Sequence, residues 1–174
     1  HISASVARTL LALTFLFSGT VKAVDPLGTT YKIEDYLKAF GGFFTDLLPL
    51  AETAAIALIA VEFILGFCML LNIKTRWTSW ISLAFYLVMT PLTLYIALNN
   101  PVSDCGCFGD ALILTNWQTF WKNIILLCLV IILLLGKNTI HDTWQAWMEG
   151  VWALVAAAAV GGFMAYNLTH LPIW

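Results

Sequence analysis

The chain has 174 residues, of which 61% are hydrophobic and 10% are charged, with a formal net charge of −2. A soluble domain carries about 25% charged residues because its surface faces water, so this composition excludes an ordinary soluble fold. The near-neutral balance gives no basis for nucleic-acid binding, and the length fits one bundle in a lipid bilayer.

Five apolar runs follow in chain order, at about residues 5–24, 49–73, 77–98, 120–136 and 151–168. Each is long enough to cross roughly 30 Å of hydrocarbon. Backbone amides in lipid must bond within their own segment, so the runs read as helices. They do not alternate, which excludes the strands of a barrel. The first run lacks a small-residue cleavage site, so no cleavable signal peptide is expected. The chain opens at His1, so some residues are expected to precede it. It stops at Trp174, where a further outer segment or domain is expected to follow.

Short-loop Lys and Arg set the orientation. Arg8, Lys74, Arg76 and Lys137 fall on one side if there are five spans. The stretch 99–119 on the other side has none, and Lys22, Lys32 and Lys38 are offset there by Asp25, Glu34 and Asp35. The expected orientation in a bacterial inner membrane is N-terminus inside and C-terminus outside. Trp77, Trp80, Trp144, Trp147 and Trp152 then mark the inner interface, and Trp117, Trp121 and Trp174 the outer one.

Between the first two runs, Ile33, Tyr36, Leu37 and Phe40 share a helical face, and Gly41-Gly42 supplies a stop. This predicts a short outer helix, either on the membrane surface or packed against the bundle. Ile140, Trp144, Trp147 and Met148 make a similar inner stripe. Pro91 is expected to kink the third span, with Thr90 and Thr93 serving freed carbonyls. Ala157, Gly161 and Ala165 in the fifth span allow close helix approach, expected within the bundle.

Two residue sets point to chemistry. Cys105 and Cys107 flank Gly106 in the outer loop that has no Lys or Arg, between Asp104 and Asp110. A pair so close can form a small, strained and reducible ring. A permanent structural disulfide is the alternative. A metal site is a third reading, but even with His170 it stays a ligand short, so no metal is expected. Cys68 and Cys128 lie within spans and read as small buried apolar residues. The second set is Glu62, near the middle of the second span, with Lys22 near the outer end of the first. An intramembrane carboxyl is costly and marks a function by default. Glu62 reads as a neutral acid, a proton relay, or a polar clamp if Lys22 reaches it.

The segment Phe15-Leu16-Phe17-Ser18-Gly19-Thr20-Val21-Lys22-Ala23-Val24-Asp25-Pro26 resembles the end of the first helix in DoxX-like membrane proteins. Glu62 followed by Gly66 resembles the same group, and Cys105-Gly106-Cys107-Phe108-Gly109 resembles its MauE branch, the methylamine-utilisation membrane protein. The resemblance covers about residues 4–136 and implies a four-helix bundle. Residues 137–174, an inner amphipathic connection and a fifth transmembrane helix, are then an addition. The expected fold class is an all-α integral membrane protein. The resemblance implies a redox role in which Cys105 and Cys107 exchange with a periplasmic thioredoxin-like partner or substrate protein, in disulfide formation or protein maturation. Quinone-linked oxidases of the vitamin-K-epoxide-reductase type use two cysteine pairs, whereas this chain has one outside pair and would need a partner.

Three functions compete. The first is a thiol–disulfide redox protein, with enzyme activity left open. The second is a non-enzymatic anchoring or assembly subunit of an envelope complex, suggested by the small-residue fifth helix. The third is a small-molecule or quinone-binding carrier, resting on Glu62; the sequence fixes no cofactor.

Overall fold

The computed structural model describes residues 2–102, 106–136 and 144–169. Its helices are α1 (Ile2–Val24), α2 (Pro26–Phe40), α3 (Ala51–Leu70), α4 (Thr75–Asn99), α5 (Asn116–Leu135) and α6 (Ala146–Thr169). A 3₁₀ segment, Gly42–Leu50, leads into α3, and a short extended piece, β1 (Cys107–Asp110), lies between α4 and α5. Among the described residues, α1, the stretch Gly42–Leu70, α4, α5 and α6 are long and apolar enough to cross a bilayer. The chain is therefore an all-α membrane protein with five such helices.

Local chemistry sets the helix ends. The Asp25 side chain accepts from the Gly28 amide at 2.9 Å, and Pro26 occupies the first turn of α2. Pro is favourable there because its missing N–H would have no intrahelical partner anyway. Helix α2 thus begins four residues before the expected 30 and stops at Gly41, as anticipated. Helix α5 also begins four residues early. Thr115 and Gln118 form a reciprocal capping box, with the Gln118 amide donating to Thr115 Oγ1 (3.3 Å) and the Thr115 amide to Gln118 Oε1 (2.9 Å). In α4, the helix continues through Pro91, and the Thr93 hydroxyl donates to the carbonyls of Met89 (2.8 Å) and Thr90 (3.0 Å). The Thr90 hydroxyl is buried with no partner among the described residues, and the Thr93 bonds go to Met89 and Thr90 rather than to the Leu87 carbonyl that Pro91 frees, which corrects the role expected of both threonines.

The central contact is the antiparallel pair α1–α3. Two glycines let the backbones meet. A Cβ on Gly19 would sit 2.7 Å from the Phe63 nitrogen, and one on Gly66 2.6 Å from the Leu16 nitrogen. Close backbone approach is the main source of helix affinity in lipid, where the surroundings are as apolar as the side chains. Around this pair one core joins α1, α3, α4 and α5 through Leu11, Phe15, Leu65, Met69, Tyr86 and Val130. A second joins α1 and α3 to α6 through Ala23, Ile59, Val160 and Met164.

The inward face of α6 is Ala156, Val160 and Met164, extended by Asn167, whose amide donates to the Ala23 carbonyl at 2.9 Å. Gly161 and Ala165 are exposed and nothing lies within 4 Å of a Cβ on Gly161. This corrects the expectation that the Ala157/Gly161/Ala165 stripe packs within the bundle: residue spacing defines a face but not which neighbour it meets. Cys128 likewise points outward from α5, whereas Cys68 is buried as expected.

Arg8, Lys74, Arg76 and Trp144 share one end of the bundle: Arg8 Nη1 donates to the Met69 carbonyl (2.8 Å) and Trp144 Nε1 to the Leu71 carbonyl (3.0 Å). Trp77, Trp80 and Trp147 are exposed toward that end, and Trp117 and Trp121 toward the other. Lys137, Ile140 and Trp174 lie outside the described residues. Helix α2 packs on α3 across the second end, with Phe40 against Tyr95 at 5.3 Å, which selects the bundle-packed alternative for this helix.

Candidate functional site

Lys22 is one turn after Ser18, so both side chains leave the same face of α1. Opposite them on α3 stands Glu62. Lys22 Nζ lies 2.7 Å from Glu62 Oε1 and 2.8 Å from Oε2, and donates to Ser18 Oγ at 3.1 Å. The two charged side chains are each 5% exposed. Three donors of one ammonium thus meet three acceptors, which is the condition for tolerating a charge pair in a low-dielectric interior. Of the three sequence readings of Glu62, the geometry favours the one in which Lys22 reaches it.

Ser18 extends this cluster to the cysteine loop. Its Oγ is 2.7 Å from Glu62 Oε2 and 2.8 Å from the Cys107 carbonyl. A hydroxyl has one hydrogen, so Ser18 donates to one of the two at a time. Gly106 has φ +61, a conformation favouring glycine, and a Cβ there would lie 3.0 Å from Lys32 Cγ. Phe108 is buried, 5.3 Å from the Phe17 ring and beneath Lys122, whose Nζ is 4.4 Å from its centroid. The loop is anchored upstream by Asn116, whose amide donates to Asn100 Oδ1 (3.1 Å) and the Val102 carbonyl (3.0 Å).

These groups surround a cavity of about 350 Å³ beneath α2. Ser18, Lys22, Glu62, Tyr86, Cys107 and Asn123 all line it. Asn123 donates to Thr93 Oγ1 at 3.2 Å across the α4–α5 contact. Apolar surface dominates the remaining wall, including Phe15, Phe85, Met89 and Phe108.

The structure therefore brings together three of the four sequence-derived site residues: Lys22, Glu62 and Cys107. Cys105 and Asp104 lie outside the described residues, as does the Asp110 side chain. Among the described residues no cluster of His, Cys, Asp and Glu could hold a metal ion. Sequence reasoning gave no role to Ser18, Tyr86, Lys122 or Asn123. Ser18 had a usable signal in its one-turn spacing from Lys22. Asn123 also had one, as the third member of the polar series Asn116, Thr119, Asn123 on an apolar helix. Tyr86 had none, because an aromatic residue within an apolar run carries no mark of its surroundings.

The family model described as methylamine utilisation protein MauE matches residues 1–136. The matched stretch includes Lys22, Glu62, Cys105 and Cys107 and ends before α6. No curated protein and no solved structure matches the chain.

Proposed function

The chain belongs to the MauE family, and on that footing we propose that it is a membrane thiol–disulfide redox protein whose Cys105–Cys107 pair exchanges with a thioredoxin-like or substrate protein on the outer side of a bacterial inner membrane. The family's description concerns methylamine utilisation, so the proteins served by the pair are proposed to act in that process. The observation that carries the reading is the Ser18 bridge, which fastens the Cys107 carbonyl to a buried ion pair. A disulfide that only braced the loop would have no need of an intramembrane charge cluster beside it. Lys32 and Lys122 border the loop, and the thiolate is the form that performs exchange. Exchange proceeds by attack of a thiolate on one sulfur of a disulfide, with the other sulfur leaving as thiolate.

Thiol trapping in membranes tests this. A membrane-impermeant maleimide applied to cells stripped of their outer barrier should label Cys105 and Cys107 after mild reduction. The fraction labelled without reduction should change with growth conditions. A pair that stays fully oxidised in every condition contradicts exchange, and labelling only after lysis contradicts the orientation.

A second reading, a subunit that anchors or assembles an envelope complex, has one observation in its favour. The outward Gly161 and Ala165 of α6 leave a smooth strip that another transmembrane helix could approach closely.

A further inference from the structure

The cavity has unspent hydrogen-bond donors on a mostly apolar wall that also carries Lys22, Lys32, Glu62 and Lys122. Tyr86 is 3% exposed, yet its hydroxyl has no hydrogen-bond partner among the described residues. Asn123 is also 3% exposed, and its amide nitrogen, which carries two hydrogens, makes one bond, to Thr93. Donors buried this deeply normally have partners. Lys22 and Glu62 neutralise each other, while Lys32 and Lys122 also line the cavity. What Tyr86 and Asn123 lack is a group bearing acceptors.

We propose that this cavity binds the ring of a lipid-soluble quinone, with its carbonyl oxygens accepting from Tyr86 and Asn123. The volume of about 350 Å³ suits a single substituted ring, near the lower end of the roughly 300–1,000 Å³ range of ligand pockets. Phe15 and Tyr86, with centroids 5.4 Å apart, and Phe108 on β1 present aromatic surface to the cavity. Burial among transmembrane helices matches a ligand that partitions into lipid. An acyl chain would fill the apolar part equally well but would leave both donors unmet.

The assignment rests on the redox reading of Cys105 and Cys107 for its purpose, and it supplies what that reading lacks. Oxidising the dithiol forms one S–S bond and breaks two S–H bonds. The two electrons reduce the quinone ring, and the two protons convert its two carbonyls to the hydroxyls of a hydroquinone. Cys107 lines the same cavity, so donor and acceptor would share one compartment.

The test is photolabelling of the purified full chain in lipid nanodiscs with an azido-benzoquinone, mapped by peptide mass spectrometry. The label should fall on cavity residues of α4 and β1 and be displaced by excess unlabelled decyl-benzoquinone. Tyr86→Phe should weaken binding roughly three- to tenfold, the loss of one hydrogen bond. Met89→Trp, which fills the cavity, should abolish specific labelling. Label spread over lipid-facing surfaces and unaffected by competitor, Tyr86→Phe or Met89→Trp would overturn the proposal. So would a pair that exchanges with its protein partner in a chain that shows no competed label, and that outcome would leave the redox reading standing. Competed cavity labelling with a pair that never exchanges would uphold the binding site and overturn the redox reading instead.

Discussion

Lys22 and Glu62 face each other across the α1–α3 contact at 2.7 Å, beside the close approach of Gly19 to Phe63. Neither charge is tolerable there alone. Removing one partner of a buried pair costs about 3–5 kcal/mol, because the other charge is left uncompensated, whereas replacing both with apolar residues is often close to neutral. Glu62→Gln and Lys22→Met should each lower thermal stability in detergent sharply, and the double variant Lys22→Met/Glu62→Leu should recover most of the loss. Additive losses in the double variant would show that the two residues act independently.

Ser18→Ala removes the donor shared by Glu62 and the Cys107 carbonyl. The cost should be about 1–3 kcal/mol and confined to the loop. Hydrogen exchange at the amides of residues 106–108 should quicken while the centre of α1 stays protected. Equal protection in both proteins would mean that the bridge does not hold the loop.

The atom nearest a Cβ on Gly19 or on Gly66 is a backbone nitrogen, of Phe63 and Leu16 respectively. Gly66→Ala should therefore cost about 1–3 kcal/mol, the usual range for overpacking, and Gly66→Leu should prevent recovery of folded protein. Unfolding followed by circular dichroism in detergent checks the first, and expression of monodisperse protein checks the second.

On α6 the two faces should respond oppositely. Met164 is 5% exposed, and Met164→Ala should cost about 2–5 kcal/mol. Gly161→Leu meets open space and should change monomer stability by less than about 0.5 kcal/mol. If Gly161→Leu instead disperses a larger complex in mild detergent, as seen by light scattering, the outward strip is a contact surface and the anchoring reading gains ground.

The spans were legible because lipid demands about 20 apolar residues per crossing, and that demand is written directly in composition. The Thr115–Gln118 capping box was not read from the sequence, because the polar residues Asn116, Gln118 and Thr119 made the start of α5 look like loop. Glu62 and Lys22 each stood out as costly ionisable groups. Their pairing was not readable, because it depends on the rotation of two helices forty residues apart in sequence, and on glycines whose role is to bring those helices together. The stripe on α6 failed for the same reason: Val160 and Gly161 are neighbours in sequence, and only the packing decides that the first turns inward. The cavity was invisible in the sequence, since its wall is assembled from α1, α2, α3, α4, α5 and β1.

The central claim is that Cys105 and Cys107 exchange disulfides with another protein, and single-cysteine trapping addresses it most directly. Removing the resolving sulfur stalls exchange at the mixed disulfide. Cys105→Ser and Cys107→Ser, expressed separately and alkylated in acid before non-reducing electrophoresis, should differ: one should accumulate a heavier, reductant-sensitive species containing a second protein. The double Ser variant should not. Absence of that species from both single variants, with normal methylamine-dependent growth of the double Ser variant, would contradict the account.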